Sequence, residues 1–147
     1  MLRDECHSLG LGEKVAKVSK SALLLEEFLA REKLDLAPVR FKGALVHGHC
    51  HQKAFGAMKA MRKVLAMIPD LETELIESSC CGMAGSFGME AEHYDISMKI
   101  AELSLLPKIR EAGMETLFVS NGTSCRPQAG GGMHISMLLE MALRRNS

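Results

Sequence analysis

Hydrophobic positions recur along this chain with two different periods, and the alternation between them outlines the fold. From Glu13 to Arg31, Val15, Val18, Ala22, Leu25, Phe28 and Leu29 follow helical spacing. Lys14, Lys17, Lys20, Glu27 and Glu32 lie largely off that stripe, so one amphipathic helix is predicted. Leu34 to Phe41, with Pro38, reads as a connection. Ala44-Leu-Val46 is a short apolar strand running into Gly48, and Ala54, Met58, Met61, Leu65 and Ile68 mark a helix stopped by Pro69. Thr73 to Ile76 is a second strand. A helix from Glu90 to Leu106 carries the Ile96, Ile100 and Leu103 stripe; Pro107 breaks or restarts it, and Gly113 is placed as its cap. Thr116 to Val119 is a third strand. The glycine run 130–132 then leads into a last helix bearing Ile135, Leu138, Leu139 and Ala142.

Strands alternating with helices imply right-handed crossovers. The predicted class is therefore α/β: three layers, a mostly parallel sheet of at least three strands, and flanking helices. In open parallel sheets, ligands bind beyond the carboxyl ends of the strands. Three strand-to-helix turns meet there: His47-Gly-His-Cys-His-Gln52, Glu77-Ser-Ser-Cys-Cys-Gly-Met-Ala-Gly-Ser-Phe-Gly-Met-Glu90 and Ser120-Asn-Gly-Thr-Ser-Cys-Arg126. They place Cys50, Cys80, Cys81 and Cys125 at one edge of the sheet.

Thiolates are the usual protein ligands of iron–sulfur clusters, and four suffice for a [4Fe–4S] or [2Fe–2S] centre. Adjacent cysteines suit a polynuclear cluster better than one tetrahedral zinc, whose paired ligands are normally spaced by two or more residues. Gly82, Gly85 and Gly88 would let the backbone come close to a cofactor and aim N–H groups at its sulfides. His47, His49 and His51 alternate along an extended segment, so two of them share a side. They are read as ligands, hydrogen-bonding groups or substrate-facing residues, with His49 and His51 as candidate catalytic groups. His93 and His134 read as surface residues, and Cys6 as a small apolar side chain.

Bulk properties narrow the classes further. The net charge is zero and no basic block stands out, which argues against nucleic acid as a partner. No apolar run approaches the ~20 residues of a membrane-spanning helix. Five cysteines, an odd number with an adjacent pair, suit metal chemistry in a reducing compartment better than a secreted disulfide framework. Eleven methionines and no tryptophan point to a methionine-padded core.

The combination of Cys50, Cys80-Cys81-Gly82 and Cys125 resembles the CCG domain, the cysteine-rich domain of heterodisulfide reductase. That domain also occurs in iron–sulfur subunits of glycolate oxidase, of lactate utilisation enzymes and of anaerobic glycerol-3-phosphate dehydrogenase. The longer wording His49-Cys-His-Gln-Lys-Ala54, Glu77 to Gly88 and Asn121-Gly-Thr-Ser-Cys125 is similar to one branch, the C-terminal part of fused FAD-linked oxidases of D-2-hydroxy acids. The resemblance implies a [4Fe–4S] cluster held by Cys50, Cys80, Cys81 and Cys125. It further implies an electron-transfer role, with FAD in a flavin domain elsewhere and a quinone or other acceptor downstream. The C-x-x-C ending of heterodisulfide reductase is absent, since Cys125-Arg-Pro-Gln128 lacks the second cysteine, and a four-cysteine cluster fits better than a five-cysteine one. No flavin fingerprint or ferredoxin-like C-x₂-C-x₂-C run is present. Residues 1–147 are therefore expected to be a single CCG-type domain from a longer oxidoreductase, cytoplasmic or peripheral to the inner membrane and not catalytic alone. The isolated domain is expected to form a homodimer. Two other readings stay open: thiol–disulfide chemistry at the same cysteines, and a metal, such as zinc, that serves only to hold the fold.

Overall fold

β1 (Gly43–Val46) forms the middle of a three-stranded sheet in the order β2-β1-β3, between β2 (Glu72–Leu75) and β3 (Thr116–Val119). Both pairings are parallel: Gly43 lies opposite Glu72 on one side and Thr116 on the other. A computed structural model describes this arrangement for residues 2–78 and 80–143, so Ser79 of the central turn lies outside the described residues. The predicted α/β class and parallel sheet are what the structure has.

Side-chain alternation along the strands separates two cores. Ala44, Val46 and Val119 face one side, where Met61, Val64 and Leu65 of α4 (Met58–Leu65) and Ile135, Leu138 and Leu139 of α8 (Ile135–Ala142) cover them. Leu45, Ile76 and the partly buried Phe118 face the other side, with Leu105 and Ile109 of α6 (Leu105–Glu111). Cys81 and Cys125 belong to this second cluster. Helices on both faces give the three layers.

Two predicted helices are broken. The stretch from Glu13 to Arg31 divides into α1 (Glu13–Ser21) and α2 (Leu25–Leu29). The chain turns extended at Ala22 (ψ 114°), whose carbonyl accepts a 2.7 Å hydrogen bond from Arg3 Nε. The Leu24 N–H then donates to Glu27 Oε2 at 2.8 Å and starts a new helix. The apolar stripe is therefore not buried as one face: Val15 is buried, while Val18 in the same piece and Phe28 in the second are 48% and 52% exposed. The next helix begins earlier than its apolar stripe suggests, as α3 (Cys50–Ala54), and breaks at Gly56 (φ 68°) before α4.

Further along, α5 (Tyr94–Glu102) ends before Ser104, and α6 restarts with Pro107 in its first turn, where a missing N–H costs little. A short α7 (Cys125–Gln128) precedes α8. The methionine-padded core is only partly what is seen: Met61 and Met83 are buried, whereas Met89, Met114, Met137 and Met141 are exposed. No helix among the described residues is long and apolar enough to cross a membrane.

Candidate metal centre

The sheet pairings continue past the named strands and carry the three turns with them. His47 N–H donates to Val119 O at 2.9 Å, and Ile76 N–H donates to Val46 O at 2.8 Å. The residues just after all three strands are thus held side by side at the carboxyl edge.

Four cysteines meet there in two close pairs. Cys50, in the first turn of α3, has its sulfur 4.0 Å from that of Cys80. Cys81 and Cys125, both buried, form a group with a buried ring nitrogen of His47 in which all three candidate ligand atoms lie within 4.8 Å of one another. The pairs also feel each other: the charge of Cys81 acts on Cys50, and that of Cys50 on Cys125. All four predicted cysteines therefore come together. Cys6 stays apart, donating to Leu2 O at 2.8 Å within a 3₁₀ turn (Glu5–Leu9).

Electrostatics divide the buried pair into thiolate and thiol. The hydrogen bond from Cys125, opposed by burial and helped by the nearby His47 ring and the Met83 N–H, brings Cys81 down to about 4. The same hydrogen bond, with burial, pushes the Cys125 thiol far up. Burial and the neighbouring Cys80 raise Cys50. A ready thiolate with further sulfurs around it is the donor set a thiophilic metal requires. His47 Nδ1 lies 2.8 Å from Ser78 Oγ, while its Nε2 is buried without a hydrogen-bond partner, an atom that a metal would satisfy. Lys53 donates to the Ser78 carbonyl and sits 3.4 Å from Ser78 Oγ, placing a cation beside the site.

The glycines of the central turn have distinct jobs. Gly82 N–H points at Cys80 Sγ (3.3 Å), in keeping with an amide donor aimed at sulfur. A Cβ on Gly82 would lie 2.2 Å from Ser97 O, and one on Gly88 would lie 2.2 Å from Ser97 Oγ. Both glycines therefore let the turn lie flat on α5, a packing role independent of any cofactor. Gly85 is open, with nothing within 4 Å of a would-be Cβ.

The remaining histidines separate. His51 stacks on Phe55 at 4.8 Å and approaches Asp4 at 3.7 Å. The His49 ring and Cys125 sulfur flank Gly122, where an added Cβ would meet them at 2.9 and 2.5 Å. Burial pushes the His49 pKa down from its ordinary value, against the opposing pull of the Cys81 charge. His93 stacks on Phe87 at 4.0 Å, and His134 caps α8 by accepting from Ser136 N–H. His49, His51 and His134 line a cleft of about 550 Å³ between the turns that follow β1 and β3. In a β2-β1-β3 sheet, that is where successive crossovers leave in opposite directions, the usual place for a ligand.

Several residues of this region carried no separate signal in the sequence. Lys53 and Gly122 lie inside the recognised segments, and a close reading of the Asn121-Gly122 pair would have found the second. Ser78 lies inside the recognised Glu77–Glu90 segment, and Glu26 inside the stretch predicted as one helix from Glu13 to Arg31.

Comparison with known proteins adds the context. The chain is 34% identical, over 95 residues (65% of its length), to one of the subunits of anaerobic glycerol-3-phosphate dehydrogenase from Escherichia coli (strain K12), covering 23% of that protein. It is 32% identical over 130 residues (86% of its length) to D-2-hydroxyglutarate dehydrogenase of the same organism, covering 12% of it. With the D-2-hydroxyglutarate dehydrogenase of Pantoea ananatis (strain AJ13355) the identity is 28% over 148 residues, 95% of this chain and 14% of the relative. The chain is related to parts of dehydrogenases. It spans less than a quarter of the length of each of these relatives. No protein-family model matches the sequence, and no solved structure matches the chain.

Proposed function

We propose that this domain is an iron–sulfur electron-transfer module of a FAD-linked D-2-hydroxy acid dehydrogenase, of the lactate, glycolate or 2-hydroxyglutarate type. The observation that carries the reading is the gathering of four cysteine sulfurs, from turns far apart in sequence, into two close pairs at the carboxyl edge of the sheet. Its kinship to dehydrogenases supplies the redox setting. Cys50, Cys80, Cys81 and Cys125 would hold the cluster, of [4Fe–4S] type, which when bound supplies one-electron redox chemistry. The chain's own groups would do the rest. Gly82 N–H donates toward sulfur, Lys53 offsets negative charge, and the buried layer around Cys81 and Cys125 keeps water out. FAD belongs to a flavin domain of the parent protein, and a quinone or other acceptor would receive the electrons. A cytoplasmic location, with or without peripheral contact to the inner membrane, goes with this role.

One observation favours a second reading. Two sulfurs and an imidazole nitrogen within 4.8 Å of one another are close to the ~3.8 Å edge of a tetrahedron built on 2.3 Å zinc–sulfur bonds. A single structural ion at His47, Cys81 and Cys125 would fit, whereas a cluster requires the sulfurs to part.

Anaerobic purification followed by iron and acid-labile sulfide analysis decides between them. About four irons and four sulfides per chain, with visible absorbance lost on chelation, is the expected result. One zinc and no sulfide would overturn the cluster. Thiol–disulfide chemistry would instead show turnover of a disulfide substrate by metal-free protein.

A further inference from the structure

Glu26 is 1% exposed, although it sits on a five-residue helix next to the partly exposed ion pair of Glu27 with Arg3. Its Oε1 accepts from Gln52 Nε2, and its Oε2 accepts from Asn121 Nδ2 at 3.2 Å. Each amide passes the contact on. Gln52 Oε1 accepts the backbone N–H of His49 at 3.0 Å, and Asn121 Oδ1 accepts that of Ile135 at 3.2 Å. One carboxylate thus fixes the orientation of two amides, and the amides fix two backbones.

Those backbones lead to the cysteines. Gln52 follows Cys50 in α3, and its side-chain carbonyl holds the residue before Cys50. Asn121 opens the turn that ends at Cys125 and ties it to the start of α8. A carboxylate only accepts hydrogen bonds, so both NH₂ groups must face it and both amide carbonyls must face outward. An amide at position 26 would offer one acceptor and one donor, leaving one partner opposed NH₂ to NH₂ inside a buried network. Such networks are costly when only partly satisfied.

We propose that Glu26 is a positioning residue of the cysteine site, a clamp that holds the Cys50 turn and the Cys125 turn in fixed relation through Gln52 and Asn121. Its bearing on a cluster rests on the function proposed above, but the clamp itself is testable without metal. Residues that orient ligands in this way typically change metal affinity 10- to 100-fold when altered.

The test is cysteine-specific alkylation of the metal-free chain, read by peptide mass spectrometry, with Cys6 as internal reference. In Glu26→Gln, alkylation of Cys125 relative to Cys6 should accelerate about 10-fold, the change in open population that one unsatisfied buried amide produces. Glu27→Gln, which breaks the neighbouring ion pair with Arg3, serves as the control for general destabilisation and should leave the ratio unchanged. Glu26→Asp, which keeps two acceptor oxygens, should restore part of the protection. Asn121→Ala removes a single arm and should expose Cys125 even if Glu26→Gln fails to fold. After iron reconstitution, iron loss to a chelator should be about 10-fold faster in Glu26→Gln. Equal alkylation ratios in wild type, Glu26→Gln and Asn121→Ala would overturn the clamp, as would equal acceleration by Glu27→Gln. A wild-type chain that takes up no iron would instead sink the cluster reading, with the alkylation result still deciding the clamp.

Discussion

Ser78 and His47 face each other across the ends of two neighbouring strands, Ser78 Oγ lying 2.8 Å from His47 Nδ1. This contact fixes the ring plane and leaves Nε2 as the free nitrogen. For a single ion bound at His47, Cys81 and Cys125, replacing Ser78 by Ala should weaken binding about 10-fold by releasing the ring. His47→Ala goes further and separates the two metal readings. Binding of a single zinc should be abolished, whereas a cluster on four cysteines should persist with altered stability. Zinc and iron content after equilibration against a chelating dye would show which occurs.

Cys81→Ser and Cys125→Ser should each abolish iron retention, while Cys6→Ser should not. Under the proposed function, Cys81→Ser in the parent protein should leave the flavin reducible by the hydroxy acid but stop reduction of the downstream acceptor. Flavin bleaching and acceptor reduction, followed separately, check this. Acceptor reduction at the parent rate in an iron-free Cys81→Ser protein would end the relay idea.

Gly82 and Gly85 are both left-handed, with φ of 93° and 75°, but their surroundings differ. At Gly82, alanine would meet the Ser97 carbonyl at 2.2 Å in addition to the backbone strain. A loss of about 3 kcal/mol or more is expected, with disordering of the cysteine turn. At Gly85 only the strain applies, about 1–2 kcal/mol. Urea denaturation of metal-free variants should give that order. Equal losses would mean that the turn does not rest on α5 as described.

Acid sensitivity should trace partly to Glu27. Burial opposes its ionisation, but the Arg3 guanidinium and the Leu24 N–H outweigh burial and hold the carboxyl below its ordinary value. The folded state therefore keeps the charge to lower pH than the unfolded chain does. The contribution is complete above the unfolded carboxylate value of about 4.3 and disappears as pH falls through the lower folded value. Glu27→Gln should cost about 1 kcal/mol at pH 7, with the difference from wild type closing below about pH 4. Urea midpoints across pH measure it.

Much of this arrangement could be read from the chain because strand and turn signals are local. Val46 running into Gly48, or Val119 into Ser120-Asn121, announces both a strand end and the turn after it. The parallel topology then brings Cys50, Cys80, Cys81 and Cys125 to one edge without further information. The helix breaks were not legible in the same way. Val18, Leu25 and Phe28 keep helical spacing through Ala22, where the chain nonetheless turns extended and the Ala22 carbonyl accepts from Arg3, a tertiary contact that periodicity does not reveal. Glu26 was hidden for the same reason: its burial follows from that break and from partners far away in sequence. Extended alternation would set His47, His49 and His51 on one side; it holds for His47 on the β1–β3 ladder, but α3 begins at Cys50, so His51 leaves that period and stacks on Phe55.

The paired cysteines also bear on the order of events in biogenesis. Cys50 and Cys80 are 30 positions apart, and Cys125 follows after a further strand and two helices. No single hairpin or turn contains a complete ligand set, so closing the site requires the long crossovers to be in place. A small zinc-nucleated domain can gather its ligands locally and fold around the ion. Here the polypeptide must first approach its native topology, so under the proposed function cluster loading would be a late step, available only to a chain that has already assembled its sheet.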